Sequence, residues 1–280
     1  MEEVQTLRTD AETGQLIESG LRNAREAIDR EDLEAKVKGV YRQVALAPEG
    51  KYHFELGRAL AERLGYPVPL LDAIPAGAVE SFAGVGYFFD LARLSAGERV
   101  LDLGSGSGTD VFAAAVSVGS DGEVVGLDMT PEQLHKAGEL QRAGGFPNVA
   151  FREGHIEELP FEDGSFDCVI SNGVINLSPD KGAVFREAAR VLRKGGRLAI
   201  ADIVSSIPLT PQIVCNTDLW AACVGGAEQL ETYHQLIADS GLTVQEWKRN
   251  PYEFLSGRAR TATDRFGIMS LSLVASKDPA

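Results

Sequence analysis

The chain has 280 residues, of which 44% are hydrophobic and 24% charged, and its formal net charge is −14. This composition is typical of a globular protein with a sizeable buried core. Because an acidic surface repels phosphates, the charge argues against a nucleic-acid partner. No apolar run approaches the roughly 20 residues that span a bilayer, and the N-terminus lacks the features of a signal peptide. We therefore expect no membrane partner and a cytoplasmic protein whose three cysteines, which form no CxxC pair, stay reduced and hold no metal.

The N-terminal region, residues 1–93, is predicted to form a helical cap or lid. Spaced apolar residues predict one helix over 11–38 and a second over 52–64. A proline-rich connector follows at 67–75. The segment 82–94 then leads into the next region through two glycines.

The central region alternates strand and helix signals. Strands are predicted at 99–103, 123–127, 149–153, 166–171 and 197–203. Helices are predicted at 110–118, 131–143 and 181–192, and the pair Gly195-Gly196 is expected to end the last of these helices. Such alternation is typical of a parallel sheet that helices cover on both faces.

The C-terminal region adds helical signals at 211–222 and 228–240 and strand signals at 242–248 and 267–275. The last two strands suit an antiparallel hairpin at a sheet edge. The sequence therefore predicts an α/β fold with a doubly wound, seven-stranded, Rossmann-like sheet and an N-terminal helical cap.

A glycine-rich turn carries the main functional signal. The strand Arg99–Leu103 runs directly into Gly104, Gly106 and Gly108, and a helix follows at once. Glycines at this position let the backbone bend sharply and approach a ligand, and the helix start offers free N–H groups. The second strand ends in Asp128, where a carboxylate can accept hydrogen bonds from ribose hydroxyls. The pattern indicates a nucleoside-bearing cofactor, although the glycine spacing G-x-G-x-G differs from the G-x-G-x-x-G of nicotinamide enzymes.

Four motifs in order resemble the class I S-adenosylmethionine-dependent methyltransferases. These motifs are Val100-Leu-Asp-Leu-Gly-Ser-Gly-Ser-Gly108, Gly126-Leu-Asp-Met-Thr-Pro131, Asp163-Gly-Ser-Phe-Asp-Cys-Val-Ile170 and Arg190-Val-Leu-Arg-Lys-Gly-Gly-Arg-Leu198. The resemblance implies S-adenosylmethionine as the cofactor and a methyltransferase domain over 94–280, with an acceptor-side insertion at 204–240.

The same resemblance implies a set of cofactor contacts. The turn 104–108 would hold the methionine part, with Asp102 near its ammonium group and Asp128 on the ribose. Met129 would flank the adenine and Asn172 would lie near the sulfonium. The full set of implied cofactor residues is Asp102, Gly104, Ser105, Gly106, Gly108, Asp128, Met129, His155, Ile156 and Asn172.

A narrower resemblance, to the arsenite methyltransferases, appears in Ile170-Ser-Asn-Gly-Val-Ile-Asn-Leu-Ser-Pro-Asp-Lys181 and in Cys223-Val-Gly-Gly-Ala227. That group uses several cysteines to hold trivalent arsenic. This chain departs from the pattern, because Gly173 stands at one cysteine position and the segment 81–86 contains no cysteine. Cys223 alone matches a family thiol. Cys168 is predicted to be a core residue, and a two-thiol site of Cys215 and Cys223 remains an alternative.

The sequence gives weaker indications of the residues that bind the methyl acceptor. Tyr41, Tyr52 and His53 are candidates for a base from the cap, and His53 is preferred because histidine titrates near neutral pH. Aromatic residues that form either an acceptor pocket or plain core are Phe82, Tyr87, Phe88, Phe89 and Trp220. His135 and His234 are expected on helix surfaces.

The leading hypothesis is a methyltransferase acting on a small soft nucleophile: sulfide, a thiol, or an arsenic or selenium species. The catalytic candidates are His53, Tyr52 and Cys223. The alternatives are O- or C-methylation of a small phenol or quinone precursor, an NAD-dependent oxidoreductase, and a cofactor-binding protein without catalysis.

Overall fold

A computed structural model describes residues 27–221, 224–255 and 257–278, together with Leu21 and Ala24. One twisted sheet forms its centre, and its strands are β1 (Arg99–Leu103), β2 (Glu123–Asp128), β3 (Val149–Glu153), β4 (Phe166–Asn172), β5 (Leu192–Ser205), β6 (Glu228–Gln229), β7 (Leu242–Arg249) and β8 (Met269–Lys277). The strand order is β3-β2-β1-β4-β5-β8-β7, with the two-residue β6 beside β5. All pairs are parallel except those that β8 makes with β5 and β7.

The helices of the described residues cover both faces of the sheet and the carboxyl ends of its parallel strands. They are α1 (Arg30–Leu46), α2 (Arg58–Leu64), α3 (Val68–Asp72), α4 (Ala76–Glu80), α5 (Phe89–Ala92), α6 (Thr109–Val118), α7 (Pro131–Gly144), α8 (Lys181–Val191), α9 (Pro211–Val214), α10 (Thr217–Ala221), α11 (Leu230–Asp239) and α12 (Gly257–Phe266), with a 3-10 turn at Ile175–Leu177. The α/β fold predicted from the sequence is confirmed, including the antiparallel pair at one edge. The sheet has one strand more than the seven predicted, the two-residue β6.

The buried side chains separate into two clusters on opposite sides of the sheet. One cluster joins α6 and the N-terminal helices to the sheet through residues such as Phe112 and Phe88. The other joins α8 and α11 to the opposite face through residues such as Phe185 and Tyr233. Strands covered on both faces must be apolar throughout, which explains why the central strands were readable as continuous apolar runs.

The N-terminal boundaries differ from the sequence prediction. The expected helix over 11–38 is interrupted, because residues 27–29 form a turn and α1 begins at Arg30, where Asp29 caps it by accepting a hydrogen bond from the Asp32 N–H. The expected helix over 52–64 begins only at Arg58, since Gly57 precedes it with a φ of +82°. The connector at 67–75 contains the short helix α3.

Two predictions further along the chain also need correction, and one helix was not predicted. Helix α8 ends at Val191, and Gly195-Gly196 lie within β5 instead of ending the helix. The predicted helix 211–222 is two short helices, α9 and α10, separated at Cys215 and Asn216. An arginine-bearing stretch without a predicted element forms the largely exposed helix α12. No helix in the described part of the chain is long and apolar enough to cross a membrane.

Candidate active site

A cavity of about 380 Å³ opens at the carboxyl ends of β1, β2 and β4. The chain runs from β1 outward through β2 and β3 and then returns to β4 on the other side of β1. Parallel sheets bind ligands at such a reversal point, where the loops of neighbouring strands diverge. The cavity therefore lies where this topology predicts a ligand site.

One face of α1 forms the roof of the cavity. Leu33, Val37 and Tyr41 lie one turn apart along the helix and all line the cavity. At its C-terminal half α1 is tied to α7, because Gln133 Nε2 donates a 2.8 Å hydrogen bond to the Tyr41 carbonyl. At its N-terminal half, Lys36 Nζ lies 2.7 Å from Thr217 Oγ1 on α10. The roof thus connects the cofactor side of the fold to the segment before β6.

The glycine turn forms the floor on the β1 side. Gly104 has a φ of +72°, and a Cβ on it would lie 2.5 Å from the Val174 side chain. Only glycine lets this backbone pass so close to the loop after β4. Asp128, at the end of β2, accepts hydrogen bonds of 2.8 Å from the Gly106 and Thr130 N–H groups. The Asp128 carboxylate is thereby fixed at the edge of the turn with lone pairs left for a ligand.

Two further carboxylates lie in the cavity wall beside the turn. Asp102 and Asp110 are 2% and 5% exposed, and both line the cavity. Burial raises the pKa of Asp110 to about 6. Burial, with the neighbouring charges of Asp110 and Asp128, raises the pKa of Asp102 well above its ordinary value. Among the described residues no hydrogen bond satisfies the Asp102 carboxyl, which leaves it to a ligand.

Asp110 is held from both sides. Its Oδ1 accepts a 2.5 Å hydrogen bond from the Tyr66 hydroxyl, and its Oδ2 accepts a 3.0 Å bond from Asn172 Nδ2. Both donors favour the ionised form of Asp110 and oppose the effect of burial on its pKa. The side chain of Asn172, at the end of β4, also accepts hydrogen bonds from the backbone N–H groups of Val85 and Gly86.

The segment 84–87 is clamped against the sheet by polar side chains that sequence reasoning missed. Ser270 donates a 2.6 Å hydrogen bond to the Val85 carbonyl, and Ser272 donates a 3.0 Å bond to the Tyr87 carbonyl. Asn250 donates to Ser270, and its Oδ1 lies 3.0 Å from the Ser272 hydroxyl, which shares its one proton between Asn250 and Tyr87. The alternation of Ser270 and Ser272 along β8 was the available signal, but alternating polar residues are usually assigned to a solvent-facing side.

The structure brings most of the predicted cofactor residues together. Those that line the cavity are Asp102, Gly104, Ser105, Gly106, Asp128, Met129, His155, Ile156 and Asn172. Gly108 lies behind them, with its α-carbon hydrogen directed at Phe112 and Phe151, and it precedes the first residue of α6. The side chain of Asn172 is engaged within the protein, so its backbone is the part left for a cofactor.

The predicted catalytic residues of the cap do not gather at the cavity. Tyr52 donates its hydroxyl to the Ala47 carbonyl at 2.7 Å, and His53 packs edge-on against Phe54, with ring centroids 4.6 Å apart. Neither lines the cavity, whereas Tyr41 does. The reason is the irregular path of 52–57, which packs both rings against Phe54. Cys223 lies outside the described residues.

The remaining sequence candidates are structural or exposed. Cys168 is fully buried in β4, where burial raises the pKa of its thiol to about 12, and Cys215 is exposed. Of the five aromatic candidates only Phe82 lines the cavity. His135 is exposed as expected, whereas His234 is half-buried.

The cavity fits S-adenosylmethionine, whose ammonium and sulfonium groups carry positive charge. Six carboxylates line it, and those of Asp102, Asp110 and Asp128 lie beside the glycine turn while Glu34, Glu157 and Glu158 lie further out. The Ser105 hydroxyl is buried in the turn without a hydrogen-bond partner, and the Gly104 backbone allows close approach. When bound there, the cofactor supplies an electrophilic methyl group. No cluster of three or more potential metal ligands is found in the described part of the chain.

Comparisons with known proteins agree with this site. A family model described as a methyltransferase domain matches residues 94–253. An arsenite methyltransferase of Halobacterium salinarum is 41% identical over 198 residues, which cover 70% of this chain and 50% of that protein. The solved structure of an arsenic(III) S-adenosylmethionine methyltransferase from Chlamydomonas reinhardtii superposes with a TM-score of 0.59 at 31% identity, covering 80% of this chain and 74% of that one.

Other relatives carry different names. A 27-O-demethylrifamycin SV methyltransferase of Amycolatopsis mediterranei is 38% identical over 112 residues, covering 40% of each protein. The chain spans half of the Halobacterium protein and less of the Amycolatopsis one. Because the matching family model describes a methyltransferase domain, it gives no support to the alternative of an NAD-dependent oxidoreductase. The chain belongs to the S-adenosylmethionine-dependent methyltransferases, and within that family it is similar to proteins named arsenite methyltransferases.

Proposed function

We propose that this methyltransferase acts on a small, soft nucleophile of the sulfide, thiol or selenol type. The size of the cavity is the observation that carries the proposal. Ligand cavities range from about 300 to 1,000 Å³, and this one, at about 380 Å³, must hold both the cofactor and the acceptor. We therefore expect an acceptor with few atoms.

The soft character of the acceptor is supported by the relatives named arsenite methyltransferases. Arsenic itself is less favoured here, because soft metalloids are held by thiolates and two thiol positions are replaced. A Cβ on Gly173 would lie 3.1 Å from Val85 Cγ1. The two positions therefore adjoin, and both are buried without lining the cavity. In the proposed site a small nucleophile is bound by enclosure and desolvation, without thiolate ligands.

The cofactor contacts form part of this proposal. Asp128 would bind the ribose hydroxyls, Met129 and Ile156 the adenine, and Asp102 the ammonium group. Because a hydrogen bond to a charged group contributes about 1.5–3 kcal/mol, Asp128→Ala should weaken S-adenosylmethionine binding about 10- to 100-fold. Calorimetry measures this loss, and the exposed Asp121→Ala is the matched control. Equal affinities of the two variants would contradict the ribose assignment.

A product screen tests the acceptor. The protein is incubated with S-adenosylmethionine and sulfide, methanethiol, selenite or arsenite in separate sealed vials, and the headspace is analysed by mass spectrometry. Volatile methyl sulfides from sulfide or methanethiol are the expected result. If methylated arsenic is the only product, the acceptor is arsenite, as in the names of the relatives. If no vial yields a product, the proposal of a soft nucleophile is wrong.

A second candidate is O- or C-methylation of a small phenol. It is favoured by the similarity to the rifamycin-modifying methyltransferase and by the apolar side chains Leu33, Val37 and Phe82 in the cavity wall. A panel of simple phenols run beside the headspace screen, with methyl ethers or ring-methylated products as the readout, separates this candidate from the first.

A further inference from the structure

Methyl transfer to a protic acceptor creates a proton that the active site must accept. In the proposed reaction the bond between the cofactor sulfur and the methyl carbon breaks, the acceptor atom bonds to that carbon, and the proton of the acceptor leaves. A side chain that takes this proton during the reaction accelerates it by about 100- to 10,000-fold. Such a base must line the cavity, and the predicted candidates Tyr52 and His53 do not.

The titratable groups that do line the cavity differ in how they are used: Glu34 lies on α1, Glu158 is exposed, and Asp102 is the residue proposed for the cofactor's ammonium group. Asp128 lies at the end of β2 and is engaged by the N–H groups of Gly106 and Thr130. Glu157 accepts a 2.5 Å hydrogen bond from the Ser178 hydroxyl, and His155 is exposed at the rim. Asp110 is distinguished by its place, because it follows β1 and contacts the end of β4 at the reversal point of the sheet.

The position of the Asp110 carboxylate is fixed by long-range contacts. Tyr66 holds one oxygen from the segment before α3, and Asn172 holds the other from β4. Asn172 is itself bonded to the backbone of the segment 84–87 that faces Gly173. The carboxylate is consequently fixed in the cavity wall beside the end of β4, where it lines the cavity together with the glycine turn, Asn172 and Val174.

The charges around Asp110 suit a base. The titratable groups that face it are Asp102 on β1 and the hydroxyls of Tyr66 and Tyr87. No cationic group is among these partners. Burial raises the pKa of Asp110 to about 6, so the carboxylate is ionised at neutral pH while remaining more basic than an exposed aspartate. A base performs best when its pKa is close to the working pH.

We infer that Asp110 is the general base that takes the proton of the acceptor, and that Tyr66 is the positioning residue that holds it. This inference rests on the proposed methyl transfer to a protic nucleophile. It does not depend on which of the protic acceptors is used, since the proton of a thiol, a selenol or a phenol reaches the same carboxylate.

The first test is Asp110→Asn with methanethiol as the acceptor and Asp121→Asn as the matched control. We expect turnover to fall at least about 100-fold, with the affinity for S-adenosylmethionine, measured by calorimetry, unchanged within a fewfold. Infrared titration of the protein without acceptor should show two carboxyl groups protonating near pH 6, those of Asp110 and Asp202, in the wild type and in Asp121→Asn, and Asp110→Asn should lose one of the two.

The second test is Tyr66→Phe, which keeps the carboxylate and removes one donor to it. The hydrogen bond from Tyr66 lowers the pKa of Asp110, so its loss should move the acidic limb of kcat/KM, and the infrared titration, to higher pH. A purely structural role for Tyr66 would lower the amount of active protein without moving this limb. The variant also tests the inference if Asp110→Asn fails to fold.

Each outcome bears on one of the two proposals. If wild-type protein yields no methylated product from any protic acceptor, the proposed function fails and the base assignment falls with it. If wild-type protein is active and Asp110→Asn keeps its turnover, only the base assignment is overturned. A loss of turnover that follows wholly from lost cofactor affinity also overturns it, because Asp110 would then be a cofactor ligand. An unmoved acidic limb in Tyr66→Phe has the same consequence.

Discussion

Two buried carboxylates in this protein have the same local chemistry and different surroundings. Asp110 accepts a hydrogen bond from Tyr66, and Asp202 on β5 accepts one of 2.6 Å from Tyr233. Burial raises the pKa of each to about 6. Each also lies beside an asparagine. Asn172, which ends β4, lies beside Asp110, and Asn176, which follows β4, lies beside Asp202. We call these groups the open cluster (Asp110, Tyr66, Asn172) and the closed cluster (Asp202, Tyr233, Asn176, Lys181).

The clusters differ in their access to the cavity and in their net charge. Asp110 lines the cavity, whereas Asp202 is fully buried and does not. The buried Lys181 lowers the pKa of Asp202 by its charge. Lys181 also donates to the carbonyls of Asn176 and Ser178, and its Nζ lies 4.8 Å from the centroid of the Trp220 ring. A tyrosine–aspartate pair is therefore enclosed by a cation and packed side chains in the closed cluster, whereas in the open cluster its aspartate faces the cavity.

The largest expected contrast is in stability after removal of each carboxylate. Asp202→Ala leaves the buried Tyr233 hydroxyl without its acceptor and removes the carboxylate near Lys181, so it should lower the free energy of unfolding by about 3–5 kcal/mol. Asp110→Ala should cost far less, because Asp110 and Asn172 line the cavity, so water can enter the space that the Asp110 side chain leaves. Urea denaturation measures both. Equal losses would contradict the distinction between the clusters.

A smaller contrast is expected for the two tyrosines. Tyr233→Phe removes a buried hydrogen bond to a carboxylate and should lower the free energy of unfolding by about 1.5–3 kcal/mol. For Tyr66→Phe we expect a loss of less than half this size, since the Asp110 carboxylate keeps Asn172 and its access to the cavity. The same urea titrations measure the two losses of unfolding free energy. A larger loss for Tyr66→Phe than for Tyr233→Phe would contradict the distinction between the open and the closed cluster.

The pH dependence of stability separates the open cluster further. The pKa of Asp110 rises from the ordinary 3.8 to about 6 on folding, so the folded state binds this proton more tightly. Its stabilising effect is complete below pH 3.8 and is lost as the pH rises to about 6. Between these values the free energy of unfolding of the wild type should fall relative to Asp110→Asn, by about 1 kcal/mol per pH unit. Parallel curves would refute the raised pKa, and Asp121→Asn should parallel the wild type.

The smallest effect concerns the backbone beside the open cluster. Gly173 has a φ of +72°, and a Cβ there would lie 3.1 Å from Val85, so Gly173→Ala should cost about 1–2 kcal/mol. Gly39 is the control, because it lies in α1 with open space around it, and Gly39→Ala should stabilise the protein by about 0.5–1 kcal/mol. Thermal unfolding measures both, and a neutral Gly173→Ala would show that the loop after β4 can adjust.

The central strands and the glycine turn were predictable from local signals. Strands β1 and β3 have the predicted bounds, and β2 and β4 extend one residue further. These segments are apolar runs bounded by glycine, proline or charged residues, so each boundary is present in a few consecutive residues. The residues proposed to bind the cofactor could be predicted from these strands, because Asp102 and Asp128 lie at or near the ends of β1 and β2.

The acceptor side was not predictable in the same way. An aspartate that follows a glycine turn and begins a helix is ordinarily assigned a capping role, and nothing near Asp110 in the sequence indicates otherwise. Its partners Tyr66 and Asn172 lie 44 and 62 residues away. Tyr52 and His53 resembled catalytic groups by residue type, yet a loop that sequence periodicity assigned to a helix turns them away from the cavity.

The sequence by itself determined the parallel sheet, the glycine turn, the cofactor class and the absence of two family cysteines, because these depend on residue types at fixed local spacing. Only the tertiary structure decided which buried carboxylate faces the cavity, which is enclosed with a lysine, and that Val85 and Gly173 adjoin. Those features depend on contacts between segments far apart in the chain. Burial and charge, which control the pKa of each carboxylate, exist only once such segments have packed together.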